Sequence, residues 1–418
     1  MTSDPRRNRP RILPCVTMVL MTLAGFGSPA VAQDPPPKDQ TQEPPSDQFA
    51  AKRRDAMRLS AEHRDLEALP LFEELAREKA DDRVVQEGLA KGLIIKAATV
   101  PSDEAPALLR RARSILLELK KTGKLSNLAQ IYVDAIPPDG APPKFSDRGD
   151  VQAAMQAGEA AFARHDFVAA RRSYQQVLKL DPRSHEAALF IGDSYFVENK
   201  LDEARTWFTR AAIMAPNSST PHRYLGDALS KAGEDDLARL SYLDGILAEP
   251  YNRRPWMSLS QWLSSKRIPA SRLEVVPADL EAKGKAPAET PKPDADDGRS
   301  HWHLYAETLD AWANDRFKAV MPEEKAYRHS LAEEVDALRA VAKAVDADIQ
   351  AGRIKEPHPG FVNLIKLDRE GLLEPHILYF RANAGIAQDY APYREKHRGE
   401  LRRYLTQYVA VLPEAKPE

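Results

Sequence analysis

Apolar residues recur every three or four positions along most of the chain, which is the spacing that places them on one face of an α-helix. The clearest case is a stretch from about 323 to 351 that ends just before Gly352, a residue type common at helix ends. We predict one long amphipathic helix there. Its apolar positions are Tyr327, Leu331, Val335, Leu338, Ala342, Val345 and Ile349. Further helices are predicted at about 301–318, 374–388 and 392–412.

Proline-rich polar segments interrupt this helical pattern. Such segments bury too little apolar surface to offset the entropy of the chain, so we predict that they are linkers. They lie at 33–46, 137–149 and 268–299. They divide the chain into helical blocks at 47–136, 150–267 and 300–413. The third block shows no turn pattern typical of a β-domain, and we predict a separate small helical bundle for it.

The middle block contains an internal repeat of 34 residues, in which four columns of residue types recur in a fixed order. Two columns of small residues would let paired helices approach closely, and an aromatic column would fill the space beside them. A proline column would end the second helix of each pair. The columns are Gly158, Gly192 and Gly226; Ala170, Ala204 and Ala238; Tyr174, Phe208 and Tyr242; and Pro182, Pro216 and Pro250.

The order of these columns resembles that of the tetratricopeptide-repeat family, whose unit is a helix-turn-helix of 34 residues. The resemblance implies an all-α superhelix with repeats at 151–184, 185–218 and 219–252, followed by a capping helix at about 255–265. The first block is similar in a degenerate form. There Ala68 and Phe72 are four residues apart, but the spacing drifts in later elements.

The beginning of the chain has the pattern of a secretory signal peptide. Four arginines precede an apolar run from Cys15 to Phe26, and Ala30-Val31-Ala32 follows. The run is shorter than the roughly 20 residues that a membrane-spanning helix needs. A twin-arginine signal at Arg6-Arg7 and a lipoprotein site at Cys15 are weaker alternatives, because the neighbouring residues do not fit either motif. We therefore expect cleavage after about Ala32 and an exported protein, either periplasmic or secreted.

The composition excludes several classes of function. Cys15 is the only cysteine and would leave with the signal peptide, so the exported chain would have no disulfide and no thiolate ligand. The net charge of −2, from 60 basic and 62 acidic residues, gives no basic surface for nucleic acid. No glycine-rich phosphate loop and no Gly-x-Ser-x-Gly motif is present, and we predict no cofactor.

The family resemblance also implies a contact surface, since the first helix of each repeat lines the inner wall of a tetratricopeptide superhelix. Of the predicted contact residues, Phe190 and Tyr224 precede a column glycine by two positions and are expected to be exposed. The acids at 159, 193 and 227 would repel a ligand carboxylate. The predicted partner is therefore a protein or peptide segment with basic and apolar side chains. The predicted partner-binding residues are Met155, Gln156, Glu159, Phe190, Asp193, Arg223, Tyr224 and Asp227.

The sequence leaves open the role of the acids on the contact surface and two alternatives to the scaffold hypothesis. The acids of the contact surface either bind the partner, or they are solvated or pair with arginines such as Arg223. His329 and Glu333 are one helical turn apart, so an enzyme with a metal or catalytic site in the third block is a second hypothesis. His301 and His303, two residues apart, fit a shared metal poorly on a helix. A purely structural subunit of an envelope complex is the third. The main prediction is a non-enzymatic extracytoplasmic scaffold without a metal site.

Overall fold

The computed structural model of the protein describes residues 45–62, 64–100, 104–123, 125–141, 144–269, 273–276 and 297–411. Within these ranges the regular secondary structure is helical, and no strand occurs. The predicted all-α class is thereby confirmed. The predicted signal peptide at 1–32, and most of the predicted linkers at 33–46 and 268–299, lie outside the described residues.

The helices of the first block pack in succession, each against the next along the chain. Their shared core consists of aliphatic and aromatic side chains. Leu75, Leu93, Leu116 and Tyr132 in this core are at most 2% exposed. The helices are α1 (Pro45–Ala61), α2 (Asp65–Glu78), α3 (Arg83–Thr99), α4 (Ala105–Thr122) and α5 (Asn127–Ala135).

Each predicted repeat of the middle block contains a pair of helices. The pairs are α6 (Gly149–Ala163) with α7 (Phe167–Leu180), α8 (His185–Val197) with α9 (Leu201–Met214), and α10 (Ser219–Lys231) with α11 (Asp235–Ala248). The glycine column allows the close packing that was predicted. A Cβ atom on Gly192 would lie 2.7 Å from the ring of Phe208, and one on Gly226 would lie 2.7 Å from the ring of Tyr242.

A residue with left-handed backbone follows each first helix and recurs every 34 positions. The φ angles are 62° at His165, 60° at Asn199 and 81° at Gly233. The same conformation appears at Arg267, with φ 58°, directly after α12 (Arg253–Ser265). The next N–H there, that of Ile268, donates to the carbonyl of Leu263 at 2.9 Å, which is the closing bond of a Schellman motif. The predicted capping helix α12 is thus the first helix of a fourth unit.

The described helices form two compact units. Residues up to 216, together with 227–233, make up the first unit. Residues 217–226 and those from 234 onward make up the second, so α10 contributes to both.

Within the second unit, the third block packs directly on α11 and α12. The hydroxyl of Tyr390 donates to the carbonyl of Leu247 at 2.6 Å, and a guanidinium nitrogen of Arg239 donates to the carbonyl of Ala410 at 3.0 Å. The ring of Trp256 lies 5.7 Å from that of Phe380. These bonds join the bundle to the third repeat.

A short stretch inside the predicted linker 268–299 is also packed. Val275 and Val276 are 1% and 0% exposed, and the amide of Asn363 donates to the carbonyl of Glu274 at 2.8 Å. Residues 273–276 of the predicted linker are therefore packed against the third block.

The third block is helical, as predicted, but several bounds differ from those predicted. The long helix begins at Leu331 and not near 323, because Ser330 and Glu333 form a capping box there. The predicted helix at 374–388 ends as a π-helical turn at Arg381. The elements are α13 (His303–Ala311), α14 (Phe317–Val320), α15 (Leu331–Gln350), α16 (Pro359–Glu370), α17 (Leu373–His376), α18 (Tyr390–Lys396) and α19 (Arg398–Tyr408).

Candidate functional site

The eight predicted partner-binding residues lie on the first helices α6, α8 and α10. We call these eight residues the first-helix face. Phe190 and Tyr224 are only 3% and 2% exposed, so the expectation that they are exposed is wrong. Met155 is also buried. Gln156, Arg223 and Asp227 keep part of their surface accessible. Whether the face binds a partner stays a prediction.

Phe190 is buried because two aromatic rings cover it. The ring of Phe145 meets it edge-on at 5.8 Å between centroids, and the ring of Tyr174 does so at 5.5 Å. Phe145 comes from the predicted linker 137–149, and its N–H donates to the side-chain oxygen of Gln152 at 2.8 Å. The linker composition concealed this contact, since a single aromatic residue among prolines gives no periodic signal.

Glu159 is a buried acid with one strong polar partner in its own repeat. Its side chain accepts a hydrogen bond from the hydroxyl of Tyr174 at 2.7 Å, and the residue is 8% exposed. Burial raises the pKa of Glu159 to about 7, although the bond from Tyr174 acts in the opposite direction. The carboxyl group therefore changes its charge near neutral pH.

Asp193 occupies the equivalent position of the second repeat and is 0% exposed. In the part of the chain that the structure describes, neither of its carboxyl oxygens has a hydrogen-bond partner. The aromatic column explains the difference, because Phe208 stands where the first repeat has Tyr174 and it carries no hydroxyl group. Burial raises the pKa of Asp193 well above its usual range, and the charges of Glu159 and Asp227 add to this effect.

The alternative that these acids are solvated is wrong for Glu159 and Asp193, because both are buried. Arg223 uses its Nε to donate to the hydroxyl of Ser258 at 3.1 Å. No arginine is among the groups that shift the pKa of either acid. The first-helix face thus contains two acids that are most stable in their neutral form.

The second hypothesis placed chemistry near His329 and Glu333, and this pair does not form. Glu333 accepts instead from the hydroxyl of Tyr327 at 2.6 Å, and His329 Nε2 lies 2.9 Å from a carboxylate oxygen of Glu334. Tyr305 and Arg381 also donate to Glu334, each at 2.8 Å. This cluster links α13 and α15 to the π-helical turn that ends at Arg381.

The cluster stabilises the ionised form of Glu334. Burial alone would raise the pKa of this carboxyl group, but the bonds from His329, Arg381 and Tyr305 lower it overall. A carboxylate that accepts from Tyr305 and Arg381 and faces the imidazole of His329 has few lone pairs left for a metal or a substrate proton. The geometry is that of a packed ionic network between helices.

The other histidine pair is not brought together either. His301 Nε2 lies 2.8 Å from Asp348 Oδ2, whereas His303 Nδ1 lies near the carbonyl of Ser300 at 2.7 Å. Among the described residues, no group of three or more His, Cys, Asp or Glu side chains is arranged to hold a metal ion. Among the helices of the described residues, none has the length and apolar character to cross a membrane.

The comparison with protein families identifies the class of the middle block. Residues 155–219 match the model of the tetratricopeptide repeat family. The match begins in α6 and ends at the start of α10, so it covers the helices that carry Glu159 and Asp193. The resemblance inferred from the 34-residue columns is confirmed, and the repeat fold is one of protein–protein interaction scaffolds.

Three solved structures are among those to which the chain is similar. A MamA RS-1 double mutant is 14% identical, with 53% of this chain and 97% of that chain covered and a TM-score of 0.22. The tetratricopeptide domain of P58(IPK) is 12% identical, with 85% and 97% covered and a TM-score of 0.25. Yeast Tom70 is 12% identical, with 88% and 71% covered and a TM-score of 0.23. Scores this low support no functional argument. No curated relative matches the chain.

Proposed function

We propose that the protein is an extracytoplasmic scaffold that binds a protein or peptide segment through the first-helix face of its three repeats. The observation that carries this proposal is the repeat array itself, with its family match over 155–219. Repeated helix pairs present equivalent side chains at regular intervals, and an extended partner can contact several of them at once.

The chemistry of the face favours a partner with basic side chains. The three first helices carry an acid at the same position, namely Glu159, Asp193 and Asp227. Of these, Asp227 is partly accessible. Because Glu159 and Asp193 are buried, the preference for a basic partner rests on Asp227. A carboxylate on the partner would be repelled there, whereas a lysine or arginine would be attracted.

Site-specific crosslinking tests this binding mode. A photoreactive amino acid replaces Gln156 on the first-helix face, and in a matched control it replaces Arg172, an exposed residue of the second helix α7. Both variants of the chain from residue 33 onward are irradiated in envelope extract, and the crosslinked segments are read by mass spectrometry. We expect one recurring basic segment at position 156. Equal crosslinking at 172 would contradict the proposal.

Export is a separate part of the proposal and has its own test. The full chain is expressed in a bacterial host, the cell fractions are separated, and the N-terminal residue of the recovered protein is sequenced. We expect the protein outside the cytoplasm, beginning at Gln33. A cytoplasmic protein that still begins at Met1 would contradict export and would leave the binding proposal untouched.

A further inference from the structure

Within the described residues, the buried carboxyl group of Asp193 has no hydrogen-bond donor, whereas the neighbouring polar groups of α7 are bonded elsewhere. On α7, Arg171 is bonded to Glu198 and Ser194, and Tyr174 is bonded to Glu159. The side chain that α9 contributes at the level of Asp193 is the apolar Phe208, against which Gly192 packs.

Helix α3 packs on α6, and of its lysines Lys91 is paired with Asp65 while Lys96 is exposed.

Helix α10 contributes an acid, and no cation of this helix is among the groups that shift the pKa of Asp193. Its acid Asp227 raises the pKa of Asp193 further by repulsion. The ammonium of Lys231, on the same helix, lies 4.8 Å from the ring centroid of Phe196. Charged residues of α9 are directed to solvent, as is Asp202, whose side chain is 91% exposed. The groups that shift the pKa of Asp193 are therefore burial and two other acids.

An ionised carboxylate is costly to bury unless a cation or several donors compensate it. Glu159 has a hydroxyl donor, and Asp193 has none within the described residues. Two ionised groups at this level would in addition repel each other. The packing of α6 on α7, and of α8 on α7 and α9, is consequently compatible with neutral carboxyl groups and strained by charged ones.

We propose that Glu159 and Asp193 form a proton-controlled latch, in which both carboxyl groups carry a proton while α6 and α8 are packed, and loss of these protons loosens the two helices. Loosening exposes the apolar side chains of Met155 and Phe190, which the packed structure covers. The role of this opening in binding rests on the function proposed above, because these two residues belong to the first-helix face.

The direction of the pH dependence follows from the raised pKa of each acid in the folded chain. The proton stabilises the fold fully below the ordinary value of 4.5 for a glutamate, and this stabilisation is lost as the pH rises through about 7 for Glu159. For Asp193 the loss also begins above its ordinary pKa. The latch is closed in mildly acidic solution and opens toward alkaline pH.

Hydrogen exchange of the chain from residue 33 onward measures the latch directly. Backbone amides of α6 and α8 are followed between pH 5.5 and 8.5, after correction for the intrinsic rate. Each proton released on opening weakens protection by about tenfold per pH unit between the unfolded and folded pKa values. We expect the parent protein to lose at least about tenfold of its protection in α8 over this range.

Three variants make the test specific. The double variant Glu159→Gln, Asp193→Asn keeps the size of both side chains but cannot ionise, so its protection should be independent of pH. Phe208→Tyr offers Asp193 the hydroxyl that Tyr174 offers Glu159, and it should hold α8 protected to higher pH only if the carboxylate is the cause of opening. Asp202→Asn removes an exposed acid of α9 and should behave like the parent.

Two results would overturn the latch: a parent whose α8 protection does not change with pH, or a double variant that changes as the parent does. If the double variant does not fold, carbon-13 shifts of labelled aspartate carboxyls in the parent decide the matter. An aspartate that stays protonated at pH 7, and that Phe208→Tyr shifts, supports the latch; a fully ionised set contradicts it. A comparison of crosslinking at position 156 between pH 6 and pH 8.5 tests only whether opening of the latch affects partner binding.

Discussion

Four residues at the ends of first helices hold a left-handed backbone, and three of them are not glycine. This conformation costs a residue with a Cβ atom about 1–2 kcal/mol, whereas glycine adopts it freely. Gly233 is the member of the series that avoids the cost. The other three, at 165, 199 and 267, each have the closing bond of a Schellman motif, in which the N–H of the next residue donates to a carbonyl five residues before it.

Arg267→Gly should stabilise the second unit. Arg267 is exposed with φ 58°, so glycine would relieve backbone strain without removing a buried contact. We expect the free energy of unfolding to rise by about 0.5–1 kcal/mol, the balance of relieved strain and added unfolded-state entropy. Urea unfolding measures this change. Gly233→Ala should shift the free energy the other way, and a loss of stability in Arg267→Gly would contradict the argument.

Gly192→Ala should destabilise the second repeat. The added methyl group would lie 2.7 Å from the ring of Phe208, which is fully buried and has no room to move. Overpacking of this kind costs about 1–3 kcal/mol in the free energy of unfolding. Gly399→Ala is the control, because a Cβ atom there meets nothing within 4 Å. Equal thermal midpoints for the two variants would show that α8 and α9 are not packed as described.

For single residues, the sequence already shows why the carboxyl group of Asp193 has no hydroxyl donor like that of Glu159. The acids at 159 and 193 align with Tyr174 and Phe208, so the missing hydroxyl is readable from the columns alone. Their burial was not readable. From the sequence, the sixth and ninth residues of each repeat, such as Phe190 and Asp193, are predicted to face a partner. The packing of Phe145 on Phe190 is visible only in the folded chain.

Helices with both a repeat signature and a boundary signal were predicted most accurately. The pairs of the middle block begin within two residues of the predicted repeats and end four residues before them, because the column proline of each repeat follows the second helix by two residues. In the third block, the apolar spacing continued from Tyr327 into the helix and concealed the capping box at Ser330. The helix α16 was missed, although Pro359 and Gly371 mark its ends.

The network around Glu334 predicts a pH dependence at the level of single helices. Burial lowers the pKa of His329, but the bond to Glu334 and the charge of Glu333 raise it overall, against an opposing effect of Arg381. The charged imidazolium therefore stabilises the start of α15 below its ordinary pKa of 6.5, and this stabilisation is lost as the pH rises through the higher folded value.

His329→Gln should remove this dependence. Hydrogen exchange of the first amides of α15 is measured between pH 5.5 and 8.5 in the parent and the variant. We expect the parent amides to lose protection with rising pH and the variant amides to exchange at a rate that the intrinsic pH effect explains. Parallel curves for both proteins would show that the His329–Glu334 contact contributes nothing to the helix start.

Over the whole molecule, the junction of the third block with the third repeat was beyond sequence reasoning. Its hydrogen bonds join residues far apart in the chain, such as Tyr390 with Leu247 and Arg394 with the carbonyl of Ala248. No periodic pattern encodes such contacts. The prediction of a helical bundle needed local spacing alone, whereas its attachment to α11 and α12 depends on the complementary shape of two surfaces.

Removal of the third block should therefore loosen the repeats to which it is bonded. A chain that ends at Ile268 loses the hydrogen bonds to Leu247 and Ala248 and exposes the ring of Trp256. We expect the amides of α11 and α12 to exchange faster than in the parent, while those of α2 and α3 in the first unit keep their rates. Unchanged rates in α11 would show that the junction contributes no stability.

The fourth left-handed turn, at Arg267, bears on how the number of repeats can change in evolution. Repeat proteins grow and shrink by gaining or losing whole units, and an open end is where a new unit is added most easily. Here the last unit retains only α12, and the neighbouring surface of α11 is bonded to the third block. A duplication after residue 252 would have to displace that block, so the number of repeats at this end is constrained in its descendants.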